Sequence, residues 1–147
     1  MEELLDLHEA LLQHRYKDAL EIVDEMTAMA KKDILDKISS YIRVLLIYLI
    51  KSHAEQKMTR SWQNSIYYAL DEIRERNTRE KSAGTYMHAE DFRIAIDKRF
   101  ASALRAASLE AFEGKYELRE FVKFIDADAV KTQALEYILN GYSESED

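Results

Sequence analysis

ISSYIRVLLIYLIKSHAEQKMTRSW, residues 38–62, contains the most apolar segment of the chain. From Tyr41 to Ile50 nine residues are hydrophobic and one, Arg43, is charged. A membrane helix needs about 20 apolar residues, so a run this short reads as a core helix. Ile34, Ile38, Ile42 (or Tyr41), Leu45 and Leu49 lie on one face, Leu35, Leu46 and Ile50 widen it, and Val44, Ile47 and Tyr48 nearly close the circle. A helix apolar all round is one enclosed by other helices. The pattern therefore predicts a central helix over about 33–54, a link through Glu55–Thr59, and a new helix from about Ser61. Thr59 or Ser61 should cap that helix. Trp62, in its first turn, should cover Leu49, Ile50 or Ala54, with its ring N–H bonded to a backbone carbonyl or a link side chain.

Toward the N-terminus, Leu4, Leu7 and Leu11 repeat at helical spacing. After the polar break Gln13-His14-Arg15, a second stripe runs through Ala19, Leu20, Ile22, Val23 and Met26 to Met29 or Ala30. The two predict an antiparallel hairpin. It has no second copy at a spacing near 34 residues, so no repeat array is expected. Lys31-Lys32 followed by Asp33 reads as a boundary before the central helix, because cations suit helix C-termini and anions N-termini.

Toward the C-terminus, Trp62, Ile66, Ala69 or Leu70, and Ile73 form the stripe of the fourth helix. Glu72–Arg76 and Glu75–Arg79 are spaced for i, i+4 pairs that would carry it out toward Gly84. Thr85 is the expected cap of a fifth helix with the stripe Ala89, Phe92, Ile96, Phe100, Ala103, Ala107 and Ala111, ending at Gly114. The alanine-rich ASALRAASLEA lets another helix approach closely. A short helix over Tyr116–Ile125 follows. Asp126 or Asp128 should cap a last helix, with Val130, Ala134, Leu135, Ile138 and Leu139 inward and Gly141 as its stop. No segment alternates with period two, so the fold class is all-α. The expectation is a single-domain bundle of about six or seven helices over residues 1–142, with a disordered acidic tail at 143–147.

The chain holds 147 residues, no cysteine, no proline and three glycines. Without cysteine there are no disulfides, thiolate metal sites or cysteine nucleophiles, which fits a reducing compartment. The absence of proline favours long uninterrupted helices. A net charge of −7 leaves no basic footprint for nucleic acid. The acidic start MEELLDLHEA is not a signal peptide. A cytoplasmic location is expected, with no membrane or nucleic-acid partner.

Site chemistry is sparse. His8, His14, His53 and His88 fall at spacings that supply no three-ligand metal set, and none follows a Glu at i−3 as a di-iron bundle requires. No serine sits in a Gly-x-Ser-x-Gly elbow, and no glycine-rich phosphate loop exists. No catalytic residue, metal site or cofactor is therefore expected. Arg43, the one charge in the apolar run, either snorkels and pairs with a neighbouring helix or anchors an anionic ligand. Lys51, Arg60 and Trp62 invite the same two readings.

The segments Leu45-Leu46-x-Tyr48-Leu49-Ile50-Lys51, then Arg60-Ser61-Trp62-x-x-Ser65-Ile66, then Ile73 resemble the signature of the domain-of-unknown-function family 29, widespread in cyanobacteria. That signature reads Leu-Leu-x-His-Leu-Leu-Lys-Trp, a variable link, Arg-x-Ser-Trp-x-x-Thr-Ile and a charged helix. The resemblance spans roughly residues 1–115. Tyr48 stands where the family usually has histidine and Ser52 where it has tryptophan, and the prolines often seen in the link and C-terminus are missing. The resemblance implies an all-α bundle in the bacterial cytoplasm and no established reaction.

Three readings of function follow. The first is a non-catalytic protein-interaction module, binding a protein partner or itself. The second is a small-ligand or enzymatic protein whose site gathers Arg43, Lys51, Arg60 and Trp62. The third is a regulatory, antitoxin-like partner, suggested by acidity and small size. The residues point away from an enzyme.

Overall fold

The computed structural model of the chain describes residues 2–79 and 84–143. The expected acidic tail, apart from Ser143, lies outside them. Six α-helices follow one another: α1 Glu2–Leu12, α2 Tyr16–Glu55, α3 Arg60–Asn77, α4 Ala89–Glu110, α5 Leu118–Phe121 and α6 Ala127–Asn140. Short 3-10 turns occupy Ala111–Gly114 and Val122–Phe124. Among the described residues the only extended pairing is an isolated bridge between Thr78 and Thr85. The fold is all-α.

The contacts divide the chain into two compact units, one through Asp36 and one from Lys37 onward. The first is a helical hairpin. His14, with φ 58°, turns the chain between α1 and α2, and among its described residues only Ala10 and Ala19 are buried. The expected boundary at Lys31-Lys32-Asp33 does not form: α2 is helical without a break across it. Nothing in that segment interrupts a helix, since it lacks proline and glycine. Lys32 and Asp36, one turn apart, form an ion pair of 2.8 Å across the expected boundary.

The second unit holds the core. Ile38, Ile42, Leu45, Leu46, Leu49 and Ile50 of α2 are all at most 1% exposed, as the apolar circumference requires. Ile66, Ala69, Leu70 and Ile73 of α3 join them, with Phe92, Ile96, Phe100, Ala103 and Ala107 of α4, Phe121 of α5, and Val130 and Ala134 of α6. The α4 alanines are buried as expected from the small-residue run. Leu139, expected inward, is 47% exposed, and Leu135 and Ile138 are half-buried.

Side-chain bonds fix the pairing of α2 with α4. The Arg99 guanidinium donates to Ser39 Oγ at 2.6 Å, and that of Arg43 donates to Ser102 Oγ at 2.7 Å. Lys51 meets Glu110, and the Glu55 carboxylate accepts from the Phe112 N–H. Partners separated by 60, 59, 59 and 57 residues in turn mean that the two helices run parallel, in nearly constant register.

Several ends differ from expectation. α3 stops at Asn77, well short of Gly84, because the buried Asn77 side chain turns to the next segment. Its amide accepts from the Met87 N–H at 2.7 Å and donates to the Met87 carbonyl at 3.1 Å. Arg79 thus lies beyond the helix, and of the two expected pairs only Glu72–Arg76 has helical geometry, at 3.0 Å. His88, not Thr85, caps α4, with its N–H bonded to Asp91; Thr85 bonds the Met87 carbonyl instead. α4 ends at Glu110, a turn before Gly114, because Phe112 and Glu113 take left-handed conformations themselves. The segment expected as one helix over Tyr116–Ile125 is the short α5 and a 3-10 turn. Thr59 and Asp126 cap α3 and α6, and Gly141 ends α6 with φ 89°.

Candidate functional site

The C-terminal ends of α2 and α4 and the N-terminal end of α3 meet, and two of the four sequence-selected residues meet with them. Lys51 is in the last turns of α2 and only 7% exposed. Its ammonium lies 5.0 Å from the centroids of both the Tyr48 and the Trp62 rings. Such a position over ring faces is favourable to a cation. Its remaining neighbour is the Glu110 carboxylate at 3.2 Å, which is itself 54% exposed. The charge is thus boxed by two rings and one anion, and the anion faces water. Lys51 and Trp62, distant in the sequence signature, are neighbours in space.

Around this box the chain is tightly tied. The Glu55 carboxylate accepts from the Phe112 N–H at 3.2 Å and lies 3.4 Å from Lys57 Nζ. The Lys57 ammonium sits 5.7 Å from the Trp62 ring centroid. The backbone on both sides is unusual: Gln56 has φ 53°, and Phe112 and Glu113 have φ 52° and 57°. Left-handed conformations are uncommon outside glycine. Phe112 is held there by the Glu55 carboxylate and by packing of its ring on Tyr116, Phe121 and Phe124. His53 adds α6 through a 2.6 Å contact of Nε2 with Gln133 Oε1.

Trp62 is half-buried, not enclosed. Its position in the first turn of α3, beside the end of the apolar run, is the expected one. Its ring N–H, expected to find an oxygen, makes no hydrogen bond among the described residues, and the lysines take the ring faces instead. Arg43 stands eight residues before Lys51, about 12 Å along the helix, and its guanidinium is tied to Ser102. Arg60 is exposed and borders a separate surface depression of about 260 Å³ with Gln63, Asn64 and Tyr67. On another face, Tyr41 and Tyr68 meet edge-on at 5.9 Å. A hydrogen bond donated by the Tyr68 hydroxyl to Tyr41, then the negative charge of Tyr41 and of Glu72, holds that hydroxyl above the usual phenol range.

The largest concentration of exposed apolar side chains lies in the first unit, not among the four residues that the sequence singles out. Eight of the sixteen exposed large hydrophobic residues fall between Leu4 and Met29. Leu5, Leu12 and Leu20 are 66%, 67% and 64% exposed, and Leu4, Leu11, Tyr16, Val23 and Met29 are also exposed. Leu4, Leu5, Leu11 and Leu12 together span an arc of about 120°, an ordinary stripe for a helix that packs on a neighbour. The hairpin is closed by alanines, which leaves those leucines over.

Among the described residues, no group of three His, Cys, Asp or Glu side chains is placed to hold a metal ion. Among the described residues no helix is long and apolar enough to cross a membrane. Neither a curated protein nor a solved structure matches the chain. The family model "Domain of unknown function DUF29" matches residues 5–131, and the chain belongs to that family.

Proposed function

We propose that this chain is a non-catalytic protein-interaction module of the bacterial, cyanobacterial cytoplasm, and that its N-terminal hairpin is the docking element. The observation that carries this reading is the concentration of exposed leucines on α1 and the start of α2. Contiguous apolar surface on a soluble chain marks a place where another surface is covered. The lack of cysteine supports a reducing compartment, and the net charge of −7 speaks against a nucleic-acid partner.

A ligand or enzymatic site around Lys51 and Trp62 is the second reading, and their proximity favours it. Against it, the Lys51 ammonium already has an anion and two rings, and Arg43 is bonded to Ser102. These contacts support a structural brace. A regulatory, antitoxin-like role is one form the interaction reading can take.

The test compares the native chain with Leu5→Ser/Leu12→Ser/Leu20→Ser by light scattering and by affinity capture. These residues are exposed, so melting should stay nearly unchanged, within about 0.5 kcal/mol per site. Self-association or specific capture should be present in the native chain and lost in the variant. A native chain that is strictly monomeric and captures nothing the variant does not would overturn the reading.

A further inference from the structure

The exposed leucines do not stand in a neutral setting. Residues 1–36 hold ten Asp and Glu against four Lys and Arg, a net −6, so this unit carries nearly all of the chain's −7. Two of its four cations are already engaged, Arg15 with Asp18 and Lys32 with Asp36. Among the described residues no cation pairs with Glu21, Asp24 or Glu25. Glu9 lies one turn after Leu5, and Asp24 one turn after Leu20, so carboxylates border the leucine strips on both helices.

Resting on the interaction reading above, we infer that the hairpin's partner is a protein segment of opposite charge: a basic amphipathic helix whose apolar strip is flanked by lysines and arginines. Three candidate occupants compete for such a face, and charge separates them. A second copy would bring −6 against −6, and like charges placed opposite one another across an interface disfavour docking. An anionic membrane surface repels carboxylates for the same reason and recruits helices with basic polar faces. A basic helix satisfies both features at once, burying the leucines and pairing the carboxylates, and gains steering on approach.

The experiment uses the full chain and three synthetic helical peptides of about 18 residues. One has a leucine stripe flanked by lysines, one the same stripe flanked by glutamates, and one lysines with serine in place of leucine. Binding is followed by fluorescence anisotropy, with vesicles of anionic lipid as a fourth arm. The lysine–leucine peptide should bind at least tenfold tighter than either other peptide. It should weaken severalfold between low and high salt, and weaken at least tenfold on Leu5→Ser/Leu12→Ser/Leu20→Ser. Glu9→Lys/Glu21→Lys/Asp24→Lys should reverse the preference toward the glutamate–leucine peptide. Equal or better binding of the glutamate–leucine peptide, leucine-dependent dimerisation of the chain, or leucine-dependent binding to the vesicles would overturn the charge inference and leave a docking face. Binding of the lysine peptides regardless of leucine, or none at all with no effect of the serine variant, would overturn both.

Discussion

Lys51 shows how one side chain can join three helix ends. A lysine this buried loses hydration, and the loss is offset when its ammonium keeps an anion and meets ring faces. Glu110 supplies the anion and Tyr48 and Trp62 the rings. Because Glu110 is more than half exposed, it returns to water if Lys51 is removed. Lys51→Met, similar in volume, should therefore be mild, whereas Trp62→Ala should cost about 2 kcal/mol, roughly half the 3–5 kcal/mol of a fully enclosed ring. In a double-mutant cycle the two should couple by about 1–2 kcal/mol, the range for a desolvated cation on a ring. Urea unfolding followed by circular dichroism measures all four corners. A Trp62→Ala loss under about 1 kcal/mol, or additive single effects, would show that the box does not brace the fold.

At the level of elements, the helix ends depart furthest from what glycine spacing suggested. α2 ends on Gln56 and α4 on Phe112 and Glu113, all left-handed without being glycine. An L-residue pays roughly 1–2 kcal/mol for that conformation, and glycine avoids it while losing more freedom on folding. Gln56 is exposed, so the exchange can be read there almost alone. Gln56→Gly should stabilise the chain by about 0.5 kcal/mol, and Gln56→Val should destabilise it by about 1 kcal/mol, since a branched Cβ fits left-handed backbone worst. Chemical denaturation checks both. A loss of stability in the glycine variant would mean that the Gln56 side chain holds the turn. The other end is different in kind, because Glu55 and a cluster of aromatic rings fix Phe112 from outside the helix.

For the molecule as a whole, buried apolar mass and charge are distributed unequally. Among the described residues up to Asp36 only Ala10 and Ala19 are buried, and residues 1–36 carry a net −6, whereas the second unit contains the deep core. Local opening free energy follows buried contacts. Native-state hydrogen exchange should therefore find the amides of α1 exchanging through local opening at low protein concentration. Those of Leu45, Leu46 and Leu49 should exchange only on global unfolding. If α1 amides are protected as strongly as the core, the hairpin is already covered by a second copy, and the inferred basic partner would have no free face.

Composition and periodicity were enough for the all-α class, the apolar run of the central helix and the stop at Gly141, and they narrowed the caps of α3 and α6 to Thr59 or Ser61 and to Asp126 or Asp128. Each rests on information held within one helix or its ends: periodicity, capping chemistry, the absence of proline. The sequence also placed Trp62 in the first turn of α3. That Lys51 meets Trp62 while Arg43 binds Ser102 and Arg60 faces a depression of its own follows from packing alone, through contacts as much as 59 residues apart. The same holds for Asn77, whose bonds to Met87 end α3 early, and for the left-handed Phe112, held by Glu55. The leucines of α1 were legible as an apolar stripe. Their exposure was not, because a stripe records which face avoids water and says nothing of what comes to cover it.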